Sequence, residues 1–298
     1  MNSRGHLLTE QANANSWDLD QLSPLALVDL FVQEDSKTVA AIANARQGVA
    51  AAIRTTSEAL CQGGRLFYVG AGTSGRLGVL DAAECPPTFC TPPEMVQGIL
   101  AGGEAALVRS SEDLEDRYED GAAAMDERNV GSQDVVVGIT AGGTTPYVLG
   151  ALEAARKASA STIFLTCVPP EQASSPADID IRLLVGPEIV AGSTRLKAGT
   201  ATKMALNILS TGVMVRLGKV YGNRMVDVAA TNEKLRDRAL RILVDLTELE
   251  PSQAANLLAT SNNSVKLALL RHWKGISLPA AQTLLQQHQG HLRGAMLH

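Results

Sequence analysis

Hydrophobic residues near the N-terminus recur at helical spacing only after a stretch that shows little periodicity. Residues 1–20 are polar and irregular, and we expect a loose leader there. Ser23 and Pro24 then form a typical helix start, with serine as the N-cap and proline in the first turn. The apolar face that follows and the alanine-rich stretch at residues 39–60 predict two N-terminal helical regions.

The middle of the chain alternates short apolar runs with helical stretches. Residues 65–69 predict a buried strand that leads through a glycine-rich loop into a helix, and Pro86 and Pro87 are expected to end that helix after Glu84. Such alternation indicates right-handed crossovers, a parallel sheet and helices on both faces, which is a doubly wound α/β fold. The other predicted elements are strands at 134–139, 162–166 and 179–185 and a helix over Pro146–Lys157.

The pattern changes near residue 235, after which only helical periodicity remains. Helical stretches at 252–258, 265–273 and 280–287 predict a small bundle. We therefore divide the chain into three parts: an N-terminal helical segment (1–55), a domain built on the parallel sheet (56–235) and a C-terminal helical bundle (236–298).

Composition narrows the classes of protein to which the chain can belong. Its 298 residues, 45% of them hydrophobic, are enough for a substantial core, and the net charge of −5 argues against nucleic acid as the main partner. No apolar run is long enough to cross a bilayer and no signal core is present, so we expect a cytoplasmic protein that has no membrane partner. The four cysteines form no CxxC pair, so a structural metal site is not expected.

The histidines restrict the chemistry of any central active site. None lies between Leu7 and Arg271. Acid–base catalysis in the central region therefore has to use carboxylates, lysines or hydroxyls, and a Ser-His-Asp triad is disfavoured.

Two loops that follow predicted strands combine glycine with hydroxyl side chains. The first, Gly-Ala-Gly-Thr-Ser-Gly, offers Thr73 and Ser74 at a helix start, and the second offers Thr140, Gly142 and Thr144. A helix N-terminus attracts anions, and glycine lets the backbone approach phosphate oxygens. Because such loops converge at the carboxyl ends of parallel strands, the pair favours a phosphate site over two ordinary capped turns.

A dinucleotide site is the competing interpretation of the first loop, which also fits G-x-G-x-x-G. That interpretation requires an acidic residue about twenty positions later, at the end of the second strand. Residues 88–94 do not form a clean strand that ends in an acid, so the dinucleotide hypothesis ranks below the phosphate hypothesis.

A third glycine- and hydroxyl-rich loop covers residues 186–200 and precedes an apolar helix. Ser193 and Lys197 make it a candidate for a further anion-binding helix start. A buried structural turn with solvated Arg195 and Lys197 is the alternative.

Four segments of the sequence resemble a known family. Residues 70–76 resemble the opening of the sugar isomerase (SIS) domain, and residues 186–203 resemble the signature shared by the glucokinase regulatory protein and the bacterial N-acetylmuramic acid 6-phosphate etherases. Residues 81–88 and 222–227 also resemble the etherases. The similarity extends from about Leu8 into the helical tail, so it covers most of the chain.

The resemblance implies an activity and an architecture. The activity is cleavage of the D-lactyl ether of N-acetylmuramic acid 6-phosphate to N-acetylglucosamine 6-phosphate and D-lactate, in the recycling of cell-wall sugars. The architecture is an SIS domain, a flavodoxin-like sandwich, with a C-terminal bundle that resembles the ubiquitin-associated domain. The family resemblance further implies a homodimer that uses no metal or organic cofactor, with an amino sugar phosphate as its small-molecule partner.

Elimination of lactate needs a base for the C2 proton of the open-chain sugar and an acid for the departing ether oxygen. The resemblance assigns the acid to Glu84 and the base to Glu115, while Glu112, one helical turn earlier, is expected to contact the sugar. Apolar neighbours of Glu84 predict that it is buried.

One loop departs from the family pattern, and two alternative functions stay open. Family members often carry Ser-Gly-Arg-Thr-Pro where this chain has Gly142-Gly143-Thr144-Thr145-Pro146, so one side-chain hydroxyl is missing from the second loop. The alternatives are an SIS module that senses a sugar phosphate without chemistry and an aldose–ketose sugar phosphate isomerase that uses the same C2 proton.

Overall fold

A computed structural model describes residues 4–109, 112–228 and 233–297 of the chain. The contacts divide the chain into two compact units. The first comprises Met1–Ala83 and Glu94–Ser210, and the second comprises Glu84–Pro93 and Thr211–His298. The division into three domains at residues 55 and 235 stays a prediction.

Three helices precede the sheet: α1 (Pro24–Asp35), α2 (Lys37–Asn44) and α3 (Arg46–Cys61). The predicted start of α1 is confirmed, because the Ser23 side chain accepts a hydrogen bond from the N–H of Ala26 at 3.3 Å. The expectation of a loose leader is wrong. Short 3-10 helices cover Arg4–His6, Leu8–Glu10 and Leu19–Gln21, and both Leu7 and Thr9 are buried.

A five-stranded parallel sheet forms the centre of the first unit, with strand order β2-β1-β3-β4-β5. This order is the doubly wound, flavodoxin-like topology, so the predicted fold class is confirmed. The strands are β1 (Leu66–Gly70), β2 (Val96–Leu100), β3 (Val135–Ile139), β4 (Ser161–Thr166) and β5 (Ile179–Arg182). The connecting helices are α4 (Gly72–Phe89), α5 (Ala105–Val108), α6 (Tyr118–Glu127) and α7 (Pro146–Lys157), with a 3-10 helix at Glu112–Leu114, and α8 (Lys197–Arg216) follows the sheet.

The sheet is apolar on both faces because helices cover both of them. Every residue of β1 and of β3 is buried, as near-continuous hydrophobic runs predict for parallel strands. Helix α7 contributes Val148, Ala151 and Leu152 to the same core cluster as Phe67 and Phe164. This packing fixes the carboxyl ends of β1 and β3, from which the two hydroxyl-rich loops emerge.

Strand β2 carries no clear signal in the sequence, because Gln97 and Gly98 interrupt its apolar pattern. Gly98 is required by close packing, since a Cβ at this position would lie 2.5 Å from the Cα of Val79. The strand is followed by Ala101 and two glycines rather than by an acid, which weakens the dinucleotide hypothesis further.

Two predicted element ends are also wrong. Helix α4 continues past Pro86 and Pro87 to Phe89, and the N–H of Cys90 donates to the carbonyl of Pro86 at 2.9 Å. Proline lacks a donor, but its φ suits a helix and its carbonyl still accepts, so one further turn forms. Strand β5 ends at Arg182 rather than at residue 185.

The second unit contains a short antiparallel hairpin and a helical bundle around one apolar core. Leu243 and Leu258 are buried in that core together with Leu269. Three of the helices match the predicted stretches, one helix precedes them and one follows. The elements are β6 (Val220–Tyr221), β7 (Arg224–Met225), α9 (Glu233–Thr247), α10 (Pro251–Ala259), α11 (Val265–Lys274), α12 (Leu278–Gln287) and α13 (Leu292–Leu297). Within the described parts of the chain, no helix has the length and apolar character that a membrane span requires.

Candidate functional site

The loop between β1 and α4 presents a helix start to solvent. A Cβ at Gly70 would lie 2.6 Å from the backbone nitrogen of Gly75, so only glycine allows the loop to close this tightly. Gly72 has φ of +53°, and Thr73 and Ser74 follow it in the first turn of α4. The first backbone N–H groups of a helix have no intrahelical partner, and they are suited to an anion.

The loop between β3 and α7 is held by its own hydrogen bonds. The hydroxyls of Thr140 and Thr145 lie 2.9 Å apart, and the N–H of Gly143 donates to the carbonyl of Thr140. Gly143 has φ of +73°, and a Cβ there would lie 2.5 Å from the Cβ of Ala173. The loop is therefore preorganised around Thr144 and the N-terminus of α7.

These two loops line one cleft of about 170 Å³. Strands β1 and β3 are neighbours while β2 lies on the other side of β1, so the loops meet where the order of the strands reverses. This switch point is the usual ligand site of an open α/β sheet. The lining consists of Arg4, Leu7, Thr9, Glu10, Ala71, Gly72, Thr73, Ser74, Glu115, Thr140, Ala141, Gly142, Thr144, Thr145 and Thr194.

Glu115, in the acidic run at residues 112–116, lines this cleft. Its backbone carbonyl accepts a hydrogen bond from the N–H of Tyr147 at 3.0 Å, which ties it to the first turn of α7. Asp116 is exposed and pairs with Arg4 at 3.4 Å, and Asp113 is exposed as well. The structure thus distinguishes the half-buried Glu115 from the exposed Asp113 and Asp116, a choice that the sequence alone did not allow.

The structure brings together six of the residues singled out from the sequence: Thr73, Ser74, Glu115, Thr140, Gly142 and Thr144. Ser193 and Lys197 do not line the cleft, although Thr194 does. Glu112 begins a 3-10 helix, and its side chain falls outside the described part of the structure. Glu84 lies on α4 in the second unit and is exposed in the single chain, so the burial expected for it is not found there.

The start of α8, the third candidate anion site, is closed by an acidic side chain of the protein itself. The carboxylate of Glu188 accepts hydrogen bonds from the N–H of Lys197 at 3.1 Å and from the N–H of Ala198 at 2.9 Å. Burial raises the pKa of Glu188 above its ordinary value, and these two donors and the Lys197 charge offset only part of that effect. The anion that the third loop was expected to bind is therefore supplied from within the chain.

Lys197 is buried and forms an ion pair, with its Nζ 2.5 Å from Oε2 of Glu34. The solvated position proposed as an alternative for Lys197 is therefore wrong. Glu34 also accepts hydrogen bonds from Lys37 at 2.7 Å and from Asn13 and Asn15 at 2.8 Å. Burial opposes the charge on Glu34, but these donors outweigh it and hold the pKa well below the ordinary value of 4.5.

The N-terminal segment was missed as part of the site, although it supplies four lining residues: Arg4, Leu7, Thr9 and Glu10. One signal was available in the sequence, because two adjacent leucines precede Thr9 in an otherwise polar stretch. Among the described residues, no group of three or more His, Cys, Asp or Glu side chains is placed to hold a metal ion.

Comparison with known proteins identifies the domain that contains these loops. The model of the glucokinase regulatory protein N-terminal SIS domain matches residues 48–156, and the SIS domain model matches residues 115–212. An N-acetylmuramic acid 6-phosphate etherase from Picosynechococcus sp. is 70% identical over 99% of this chain and 98% of its own length. The etherase of Nostoc punctiforme is 68% identical over 100% of this chain and 96% of its own length.

A solved phosphoheptose isomerase from Francisella tularensis shares the fold. It covers 65% of this chain and 100% of its own length, with a TM-score of 0.51 at 18% sequence identity. At that identity the likeness concerns the fold alone, whereas the two etherases share 70% and 68% of their residues with this chain over 99–100% of its length. The chain therefore belongs to the N-acetylmuramic acid 6-phosphate etherase family, whose sheet domain is an SIS domain.

Proposed function

We propose that the protein cleaves the D-lactyl ether of N-acetylmuramic acid 6-phosphate and releases D-lactate and N-acetylglucosamine 6-phosphate in the recycling of cell-wall sugars. The observation that carries this proposal is that two hydroxyl-rich helix starts and one half-buried carboxylate line the same cleft. A relative that is 70% identical to this chain is named N-acetylmuramic acid 6-phosphate etherase, which supports the proposal. A phosphorylated sugar is an intracellular metabolite, so the proposal includes a cytoplasmic location.

The helix starts are suited to the phosphate end of the substrate. Thr73 and Ser74 add hydroxyl donors to the N–H groups at the start of α4, and Thr144 adds another across the cleft. Charge-assisted hydrogen bonds of this kind are stronger than neutral ones. The open-chain sugar then extends from the phosphate toward Glu115.

Glu115 is suited to act as the base. It takes the C2 proton of the open-chain sugar, the C–H electrons form a C2–C3 double bond, and the C3–O bond breaks. The departing lactate oxygen takes a proton from the acid. Water then adds across the double bond, with its oxygen at C3 and a proton at C2, and the two carboxyl groups exchange roles.

The proposed acid is Glu84, and we propose that it reaches the site from a second copy of the chain. Helix α4 begins at the cleft, and by Asp81 it has risen about 14 Å. Asp81 is buried and accepts hydrogen bonds from Asn207 at 2.8 Å and from Ser210 at 3.1 Å, which anchor this part of the helix to α8. Glu84 lies three residues further on, so a homodimer that brings Glu84 of the partner subunit to Glu115 accounts for both carboxylates.

Exposed apolar residues support such a homodimer. Leu25, Val28 and Val32 follow helical spacing on α1 and are 71%, 57% and 66% exposed. Apolar stripes of this kind are typical of surfaces that a partner covers, and a second copy related by a two-fold axis uses the same stripe on both chains.

Mixing two inactive variants tests the activity and the assembly together. Glu84→Gln and Glu115→Gln should each lower lactate release about a hundredfold or more. Mixed dimers contain one site with both wild-type carboxylates, so co-refolded variants should recover about a quarter of wild-type activity. If both residues act within one chain, the mixture stays inactive.

Glu104→Gln is the matched control, since Glu104 is exposed and lies outside the cleft lining. It should retain full activity. A wild-type protein that binds N-acetylglucosamine 6-phosphate but releases no lactate from the etherase substrate would instead be a sensing module. Interconversion of glucosamine 6-phosphate and fructose 6-phosphate would identify an isomerase.

A further inference from the structure

The N-terminal segment, residues 4–16, contributes Arg4, Leu7, Thr9 and Glu10 to the lining of the cleft and is held there at several points. Leu7 is buried against Val168 and Ala173. The N–H of Leu8 donates to Oε1 of Gln172 at 2.8 Å, and the carbonyl of Thr9 accepts from the N–H of Gly192 at 3.1 Å. Thr9 therefore has a defined position between loops that follow the sheet.

The far end of the same segment is anchored to buried groups. Asn13 donates through Nδ2 to Glu34 at 2.8 Å and to the carbonyl of Pro187 at 3.1 Å. Ser16 donates through Oγ to the carbonyl of Ile189 at 2.8 Å. With anchors on both sides of Thr9, the segment is part of the wall of the cleft.

The hydroxyl of Thr9 has no hydrogen-bond partner among the residues that the structure describes, although Thr9 is only 2% exposed. It faces the second loop, since it lies 3.7 Å from the point where a Cβ on Gly142 would be. Oγ1 of Thr144 lies 3.8 Å from the same point. Burying a hydroxyl without a partner is unfavourable, and Thr9 lines the cleft, so its hydroxyl is available to a ligand atom there.

We propose that Thr9 donates a hydrogen bond from Oγ1 to the phosphate of the bound sugar, so that the N-terminal segment forms a third side of the phosphate site. This proposal rests on the proposed sugar phosphate ligand. The second loop offers glycine rather than a hydroxyl at residue 142, and Thr9 places a hydroxyl beside that position from a different part of the chain. Phosphate is the partner because the surrounding donors, Thr144 and the start of α4, are those of the anion site.

Thr56 provides a matched control. Its hydroxyl is also buried and also lacks a partner among the described residues, but it lies in α3 and outside the cleft lining. Thr9→Val and Thr56→Val each exchange an unpartnered hydroxyl for a methyl group of similar size. Only Thr9→Val should lower the affinity for the ligand.

The experiment measures the affinity of the full-length protein for N-acetylglucosamine 6-phosphate by calorimetry, and for inorganic phosphate by its competition with that sugar. Thr9→Val should weaken both about tenfold or more, as expected for loss of a hydrogen bond to a charged group. The affinity of Thr9→Ser for both ligands should stay within about twofold of the wild-type affinity. Thr56→Val should bind both ligands with wild-type affinity. Thr9→Ala must show the same loss as Thr9→Val.

Three results would overturn the proposal. The first is wild-type affinity for both ligands in Thr9→Val. The second is weaker binding of the sugar phosphate by Thr9→Val while inorganic phosphate competes normally, because the Thr9 hydroxyl would then contact the sugar and not the phosphate. The third is a lower Tm in Thr9→Val but not in Thr9→Ser, which would give the hydroxyl a structural partner. Lactate release by the wild type is measured separately, so failure of the etherase activity and failure of the Thr9 contact are distinguished.

Discussion

Two helix starts in the first unit have similar sequences but different surroundings. Helix α4 begins after Gly-Ala-Gly-Thr-Ser-Gly and opens onto the cleft, while α8 begins after Gly-Ser-Thr-Arg-Leu. At α8 the carboxylate of Glu188 accepts hydrogen bonds from the N–H groups of Lys197 and Ala198. At the start of α4, Gly72, Thr73 and Ser74 line the cleft.

The difference shows that a glycine- and hydroxyl-rich loop before a helix does not define a ligand site by itself. What decides is whether the chain also supplies an internal anion. At α8 it supplies two carboxylates, since Glu188 caps the backbone and Glu34 neutralises the Lys197 side chain. A helix start that is already neutralised stabilises the fold, and one without an internal anion is available to a phosphate.

The largest expected effect concerns the start of α8, where Glu34 neutralises Lys197. Glu34→Ala leaves the Lys197 ammonium buried without its carboxylate, and breaking a buried pair in this way costs about 3–5 kcal/mol of unfolding free energy. Urea denaturation at pH 7 measures the loss. Lys37→Ala is the control, because Lys37 is a half-exposed partner of the same carboxylate, and its removal should cost under about 1 kcal/mol. Equal losses in the two variants would contradict the assignment.

The same ion pair gives a pH dependence of known sign. The pKa of Glu34 is lowered in the folded protein, so its contribution to stability is complete above the unfolded value near 4.5 and declines as the pH falls below it. The difference in unfolding free energy between the wild type and Glu34→Ala should therefore narrow below about pH 4.5. A difference in unfolding free energy that widens as the pH falls would contradict the lowered pKa of Glu34.

Replacing the cap itself should have an intermediate effect. Glu188→Gln keeps an acceptor but removes the charge that faces the N-terminus of α8, and it should lower the unfolding free energy by about 1–2 kcal/mol. Its affinity for N-acetylglucosamine 6-phosphate should stay unchanged, because Glu188 does not line the cleft. Glu171→Gln, at an exposed position, is the control for stability. A loss of ligand affinity in Glu188→Gln would mean that the closed start also serves the ligand.

Much of the fold could be predicted because its elements carry local signals. The strands β1, β3 and β4 are continuous apolar runs, and Pro146 marks the first turn of α7. Strand β2 lacked such a signal, since Gly98 is needed for contact with Val79, which is distant in sequence from it. The extension of α4 beyond Pro86 likewise depends on the Pro86 carbonyl, which accepts a hydrogen bond from the N–H of Cys90. The helix preferences of single residues do not predict this bond.

The candidate site was predictable only where one loop contains all the necessary groups. Thr73 and Ser74 stand beside glycines at a helix start, so their role could be inferred locally. Lys197 occupies a loop with the same composition, but its partner Glu34 is 163 residues away in the chain. Thr9 lies in a polar stretch whose only local signal is the pair of leucines before it, and this pair does not indicate that the Thr9 hydroxyl is buried beside Gly142. Contacts between distant segments decided both cases.

The smallest expected effect compares a hydroxyl at the start of α4, which lines the cleft, with a hydroxyl in the loop before α8, which does not. Ser74→Ala should weaken N-acetylglucosamine 6-phosphate binding about fivefold, roughly 1 kcal/mol, because one of several hydroxyl donors is lost while the backbone N–H groups of α4 remain. Ser193→Ala is the matched change in the third loop, and since Ser193 lies outside the cleft lining it should bind the ligand like the wild type. Calorimetry on both variants decides the comparison. Equal losses would mean that both loops contact the ligand, and then the Glu188 cap could not be the feature that separates a structural helix start from a binding one.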